Sequence, residues 1–154
     1  MILFENPQNI EVFKSFITQF ENTINDTHNG DTINICGINE VNKRFNYIAN
    51  NYDPFATNTL FKNPFYIAIN EQVCKQLILS QEEQYAMIAH EIGHIIDKSP
   101  REINNQLNRE YNADQFAIGL DLTNELKSGL EKIIARGNYP EEIEGIKVRI
   151  IKLP

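Results

Sequence analysis

The chain lacks a long apolar run. No segment approaches the roughly 20 apolar residues that cross a bilayer as a helix, so a membrane-spanning role is not expected. The first residues, Met1-Ile2-Leu3-Phe4-Glu5-Asn6-Pro7, carry no basic leader ahead of an apolar stretch, which is not the pattern of a signal peptide. Basic residues are the minority: 14 Lys and Arg stand against 21 Asp and Glu, for a net charge of −7. Nucleic acid and anionic membrane surfaces are bound by clustered Lys and Arg, so neither is an expected partner. Cysteine is scarce. Cys36 and Cys74 are the two, and neither has a Cys-x-x-Cys neighbour, which excludes a cysteine zinc site or a dithiol redox motif. Both sit in apolar segments and are expected as buried thiols of a reducing compartment. There is no internal repeat, low-complexity tract or Gly/Ser linker. With 154 residues, 42% of them hydrophobic and 23% charged, the expectation is one globular domain, 1–154, in the cytoplasm.

What is present is a mixture of helical and strand periodicities, hence an α+β fold. Asn6 can cap a first helix with Pro7 at its first position, and Ile10, Phe13, Phe16, Ile17, Phe20 and Ile24 follow at helical spacing. Alternation over residues 32–37 and the apolar run Phe65 to Asn70 read as strands. Residues 39–63 fit a short helix and a strand about equally, with turn signals at Asp53-Pro54 and Asn63-Pro64. Ser80-Gln81-Glu82-Glu83 is a capping box that opens a helix running to about Asp97. Its apolar arc is wide, so the helix is expected to be buried on most faces. A third helix carries Leu107, Tyr111, Phe116, Ala117 and Leu120. Ser99-Pro100-Arg101-Glu102 resembles a cap for it, but a start there would carry Glu110 about 15 Å along the axis, too far to return to His94 across a tight hairpin. Irregular chain within 98–105, or a steep crossing of two helices, is therefore expected. A fourth helix spans about 122–136 and stops at Gly137. The apolar tail Ile146 to Leu153 fits strand or helix.

The chemistry-bearing pattern is His90-Glu91-Ile92-Gly93-His94. Histidines four apart project from one face of a helix about one turn from each other, close enough for both imidazoles to bind one zinc ion at about 2.0–2.1 Å. Glu91 follows the first histidine and can flank such an ion as general base toward an attacking water. A catalytic zinc site needs a third protein ligand and an open position. Glu110, sixteen residues after His94, is the best candidate. Asp114 lies one turn further on the same face and suits the outer role of accepting the free ring N–H of a zinc-bound histidine. Ala113 and Ala117 are small and allow this helix to approach the histidine helix closely. Asp97 and Glu102 are rival third ligands, Asp97 fitting a salt bridge or supporting role better. His28 lies in a turn-rich segment and reads as a solvated loop residue. The strand Phe65 to Asn70 could accept an extended peptide as an added strand if it lies at a sheet edge.

Together these residues resemble the gluzincin class of zinc peptidases. Leu79-Ser80-Gln81-Glu82-Glu83, Ile88 to His94 and Glu110 to Ala117 are similar to motifs of the HtpX and CAAX-prenyl-protease family, through its small soluble minigluzincins, and to those of the ImmA/IrrE family. The resemblance covers about residues 60–120. It implies a zincin-like fold, a small mixed sheet packed on an active-site helix and a following ligand-bearing helix. It also implies a zinc-dependent endopeptidase acting on a peptide or protein. Such enzymes place a Tyr, His or Arg opposite the base to stabilise the transition state. Tyr139, Arg136 and Arg149 are the candidates, each of which also reads as a surface or packing residue. A second reading keeps the fold and the metal in a latent or non-catalytic regulatory module, with the tail Ile146 to Leu153 covering the cleft as minigluzincins suggest.

Overall fold

The computed structural model describes residues 2–5, 11–18, 22, 32–37, 53–58, 65–97, 106–137 and 140–154. They belong to two compact units, Met1–Val73 and Cys74–Pro154. The described elements mix helices with a small sheet, so the α+β expectation holds.

The first unit holds a four-stranded sheet of β1 (Ile2–Glu5), β2 (Ile33–Gly37), β3 (Phe55–Asn58) and β4 (Phe65–Ile69), in the order β1-β2-β4-β3. β1 pairs parallel with β2, placing Ile2 opposite Ile33. β2 pairs parallel with β4, placing Ile33 opposite Phe65. β3 closes the other side antiparallel, Phe55 opposite Ile69. All five residues of β4 are buried, which explains why Phe65-Tyr66-Ile67-Ala68-Ile69 is a continuous apolar run rather than an alternating one. β4 has a sheet partner on each side. It offers no free edge, and the expectation that a peptide could add to it is overturned. Helix α1 (Glu11–Thr18) buries Phe13, whose ring meets that of Phe55 edge-on at 6.3 Å. β1 was not foreseen as a strand, and β3 falls within the run 39–63 that fitted helix or strand equally. Asn6, Pro7, His28 and the rest of that run, 39–52 and 59–63, lie outside the described residues.

A short helix, α2 (Glu71–Gln76), follows β4 and was also not foreseen. The buried Asn70 side chain accepts the Val73 N–H at 3.2 Å and so caps it. The second unit is four helices: α3 (Gln81–Ile96), α4 (Gln106–Gly119), α5 (Thr123–Arg136) and α6 (Pro140–Lys152). The capping box at the start of α3 is formed in both directions. Ser80 Oγ accepts the Glu83 N–H at 3.1 Å, and Glu83 Oε2 accepts the Ser80 N–H at 2.8 Å. The Glu83 carboxylate is buried and also accepts Ser128 Oγ–H and Lys132 Nζ–H, each at 2.7 Å, which fastens α5 to the entry of α3. Burial raises the Glu83 pKa, but these hydrogen bonds and the Lys132 charge hold it below the usual carboxylate value. Gly137 ends α5 in the left-handed conformation, φ 72°, where a side chain would be strained. The tail that fitted strand or helix is α6.

α3 packs against α4 and α5, and α6 packs against α4 and α5. The α3–α4 contact is backbone against backbone. A Cβ built on Gly93 would lie 2.4 Å from the carbonyl oxygen of Ala113 and 2.7 Å from its Cα. Ala113 and Ala117 are fully buried, as their small size anticipated. In the described part of α4, Glu110 stands one turn after Gln106. Residues 98–105, with Ser99 and Glu102, lie outside the described residues.

Gly93→Ala is expected to destabilise the protein by about 1–3 kcal/mol, because neither backbone can give way. Gly129→Ala is the control. Its methyl would press on the flexible end of Met87 and make ordinary contact with Glu83 Cβ at 3.9 Å, and helix propensity favours Ala, so it should stay within about 1 kcal/mol of wild type. Urea unfolding of the two variants measures both; equal losses would contradict the close-approach account.

Candidate metal centre

α3 carries His90, Glu91 and His94 on its buried second half, and α4 carries Glu110 and Asp114 one turn apart. The interhelical contact at Gly93 and Ala113 sits between these positions in sequence on both helices, so it brings the two sets together. His90 Nε2 lies 3.2 Å from Glu110 Oε2, and His94 Nε2 lies 3.4 Å from Glu110 Oε1. The two imidazole rings stand nearly perpendicular, centroids 4.5 Å apart. Among the described residues, His90, His94 and Glu110 form the group whose ligand atoms all lie within 4.8 Å of one another.

These separations have a physical meaning. Ligand atoms about 2.0–2.2 Å from a tetrahedral ion are about 3.3–3.6 Å from each other. The two histidine–glutamate distances run to different oxygens of Glu110 and are each close to one such edge, and one donor atom from each of the three residues lies within 4.8 Å of the others, so the group could hold a metal ion. The charge agrees. With both imidazoles neutral, the carboxylates of Glu91, Glu110 and Asp114 outweigh the guanidinium of Arg149 by two negative charges, which a divalent cation balances. Such a deficit is costly to leave uncompensated among buried groups.

Asp114 takes the place expected of it. Its Oδ1 lies 2.7 Å from His90 Nδ1. With Nδ1–H donating to this carboxylate, Nε2 presents its lone pair toward Glu110, the tautomer a metal requires. Asp114 is itself 2% exposed and is held by Arg149 from α6: Arg149 Nε donates to Oδ2 at 3.0 Å and Nη2 to Oδ1 at 2.6 Å. Arg149 Nη1 also lies 3.1 Å from Glu110 Oε2. The side chain is 8% exposed, so the surface reading of Arg149 is corrected: it is part of the cluster. Tyr139 lies outside the described residues. Arg136 instead donates to Gln76 Oε1. Asp97 caps the end of α3, its N–H donating to Gly93 O and its carboxylate accepting from Asn112, and it is not one of the clustered ligand residues.

The titration behaviour follows from this crowding. For His90, burial is the largest influence and pulls the pKa down, as does the Arg149 charge. The hydrogen bonds to Asp114 and Glu110, with the Glu91 charge nearby, outweigh both and hold it at about 9. Burial pushes the Glu110 carboxyl up, but its hydrogen bonds to His90 and His94 hold it far below the usual carboxylate range. Burial likewise raises Asp114, and His90 and Arg149 bring it below its ordinary value. Burial lowers Arg149, and the three carboxylates raise it above the ordinary arginine value. In the metal-free protein His90 is thus an imidazolium clamped between two carboxylates. A metal ion bound at Nε2 would take the place of that proton.

Two members of the arrangement were missed from sequence. Gly93, between the histidines, had a signal: an isolated Gly within a helix is unfavourable by about 1 kcal/mol and points to a packing reason. The joint hold of Arg149 on Asp114 and Glu110 had none, because it comes from a helix 35 residues further along the chain.

A pH dependence follows. The folded-state pKa of His90 is raised above its ordinary 6.5 to about 9. The stabilisation that its proton gives the metal-free protein is complete below pH 6.5 and is lost as pH rises through about 9. Metal replaces the proton, so the gap in melting temperature between metal-loaded and metal-free protein should widen between pH 6.5 and 9. Thermal unfolding of both forms across that window measures it, and a constant gap would contradict the assignment of His90. No protein-family model, curated protein or solved structure matches the chain, so the chemistry of the cluster is read from its own atoms.

Proposed function

We propose that this chain is a zinc-dependent peptidase of zincin-like build, with His90, His94 and Glu110 as zinc ligands and Glu91 as general base. One observation carries the reading. Two imidazole Nε2 atoms lie 3.2 and 3.4 Å from the two oxygens of one carboxylate, and one donor atom from each of the three residues lies within 4.8 Å of the others. A three-residue set with a fourth position open is the arrangement of catalytic zinc, whereas structural zinc is closed by four protein ligands.

When bound, zinc would act as a Lewis acid toward a peptide carbonyl and a water molecule. The protein side supplies the rest. Glu91 is adjacent to a ligand histidine, is 9% exposed, and is close enough to His90 and Arg149 to shift the pKa of each. It takes a proton from the water that attacks the carbonyl carbon and returns it to the leaving amine as the C–N bond breaks. Asp114 keeps the His90 ring in one tautomer and orientation throughout. The substrate is a peptide or protein segment. Cys36 and Cys74 are buried thiols, in keeping with a reducing, cytoplasmic setting, and no described helix is long and apolar enough to cross a membrane.

Glu91→Gln is expected to keep the metal and lose peptide hydrolysis by at least about a hundredfold, the lower range for removal of a general base. Wild type and variant should be compared on a peptide library with metal content measured in parallel. An active Glu91→Gln protein would remove Glu91 as base. A metal-loaded wild type that cleaves nothing would favour the regulatory module.

A further inference from the structure

Arg149 was a candidate for stabilising the transition state, and its surroundings assign it different work. Its guanidinium is anchored at both ends of the fork: Nε and Nη2 hold the two oxygens of Asp114, at 3.0 and 2.6 Å, and Nη1 meets Glu110 Oε2 at 3.1 Å. A buried side chain fixed in this way cannot swing toward a substrate without breaking its charge-assisted hydrogen bonds to Asp114 and its ion pair with Glu110.

Glu110 presents both oxygens to the imidazole pair, Oε1 toward His94 and Oε2 toward His90. A carboxylate so placed can bind a cation through both oxygens and fill two coordination positions. The Arg149 guanidinium forms an ion pair with one of the two, Oε2, at 3.1 Å. Its positive charge draws electron density from Oε2 and leaves Oε1 the better ligand. Lys cannot do this while also holding Asp114 bidentately, because it has a single nitrogen.

We propose that Arg149 is a positioning residue that keeps Glu110 a one-oxygen metal ligand and thereby holds a coordination position open for the reacting carbonyl or water. The inference rests on metal binding by His90, His94 and Glu110, but it is separable from peptidase activity. The same guanidinium fixes Asp114 and through it the His90 tautomer, so one residue of α6 governs ligands on both α3 and α4.

Cobalt(II) reports this directly, since four-coordinate cobalt absorbs visible light far more strongly than five-coordinate cobalt. The cobalt form of the wild-type chain is expected to give the intense four-coordinate spectrum. Arg149→Met frees Oε2, so its cobalt form should lose most of that intensity while circular dichroism shows the helices retained. If Arg149→Met does not fold, Arg149→Gln, which leaves a polar amide in the buried site, reads the same quantity. A folded variant with an unchanged cobalt spectrum, or a wild type already five-coordinate, would overturn the role of Arg149 and leave the peptidase reading standing. A four-coordinate wild type and a weakened variant, in a protein that cleaves no peptide, would support the role of Arg149 and remove only the peptidase reading. Absence of cobalt uptake by the wild type would overturn both.

Discussion

The approach of two helix backbones at Gly93 and Ala113 is the contact on which the site depends. Ligand atoms from α3 and α4 can share one ion only if the helices lie closer than ordinary side chains permit. Gly93 has no Cβ to hold them apart, and a built one would lie 2.4 Å from the Ala113 carbonyl oxygen. The glycine sits one residue before His94, and the alanine sits between Glu110 and Asp114. The point of closest approach and the ligands are therefore parts of one local geometry. Loosening the first misplaces the second, and a metal site tolerates errors of only a few tenths of an ångström.

The second constraint is electrostatic. Three carboxylates, two imidazoles and a guanidinium are gathered in a largely buried region, where an unpaired charge is strongly destabilising. Each group there is compensated by another. Asp114 is shared by His90 and Arg149, and Glu110 by His90, His94 and Arg149. This mutual dependence raises His90 and lowers both carboxylates. It also gives the cluster two ways to offset its surplus of two negative charges. A proton on His90 offsets one of them; a divalent cation in its place would offset both.

The sequence was legible where the information is local. The capping box at Ser80, the histidine helix, the stop at Gly137 and the strands at 33–37 and 65–69 all follow from spacing within a few residues, and the structure places them there. The pairing of His90 with Asp114 was likewise readable, since a Glu and an Asp four apart must share a helix face. Non-local features were not. β1 gains its meaning from parallel pairing with β2 some thirty residues away, and three apolar residues alone do not announce it. The internal position of β4 is a property of strand order, which no single strand reveals. Arg149 was among the candidate site residues, but its hold on Asp114 and Glu110 depends on the packing of α6 against α4.

The central claim is that His90, His94 and Glu110 hold one divalent metal ion. Elemental analysis of protein purified without chelator and without added metal tests it most directly. The account expects close to one zinc per chain, and none in a variant lacking both histidines. A wild-type chain without metal, even after back-titration with zinc at neutral pH, would mean that the imidazoles and carboxylates only neutralise one another, and would contradict the claim.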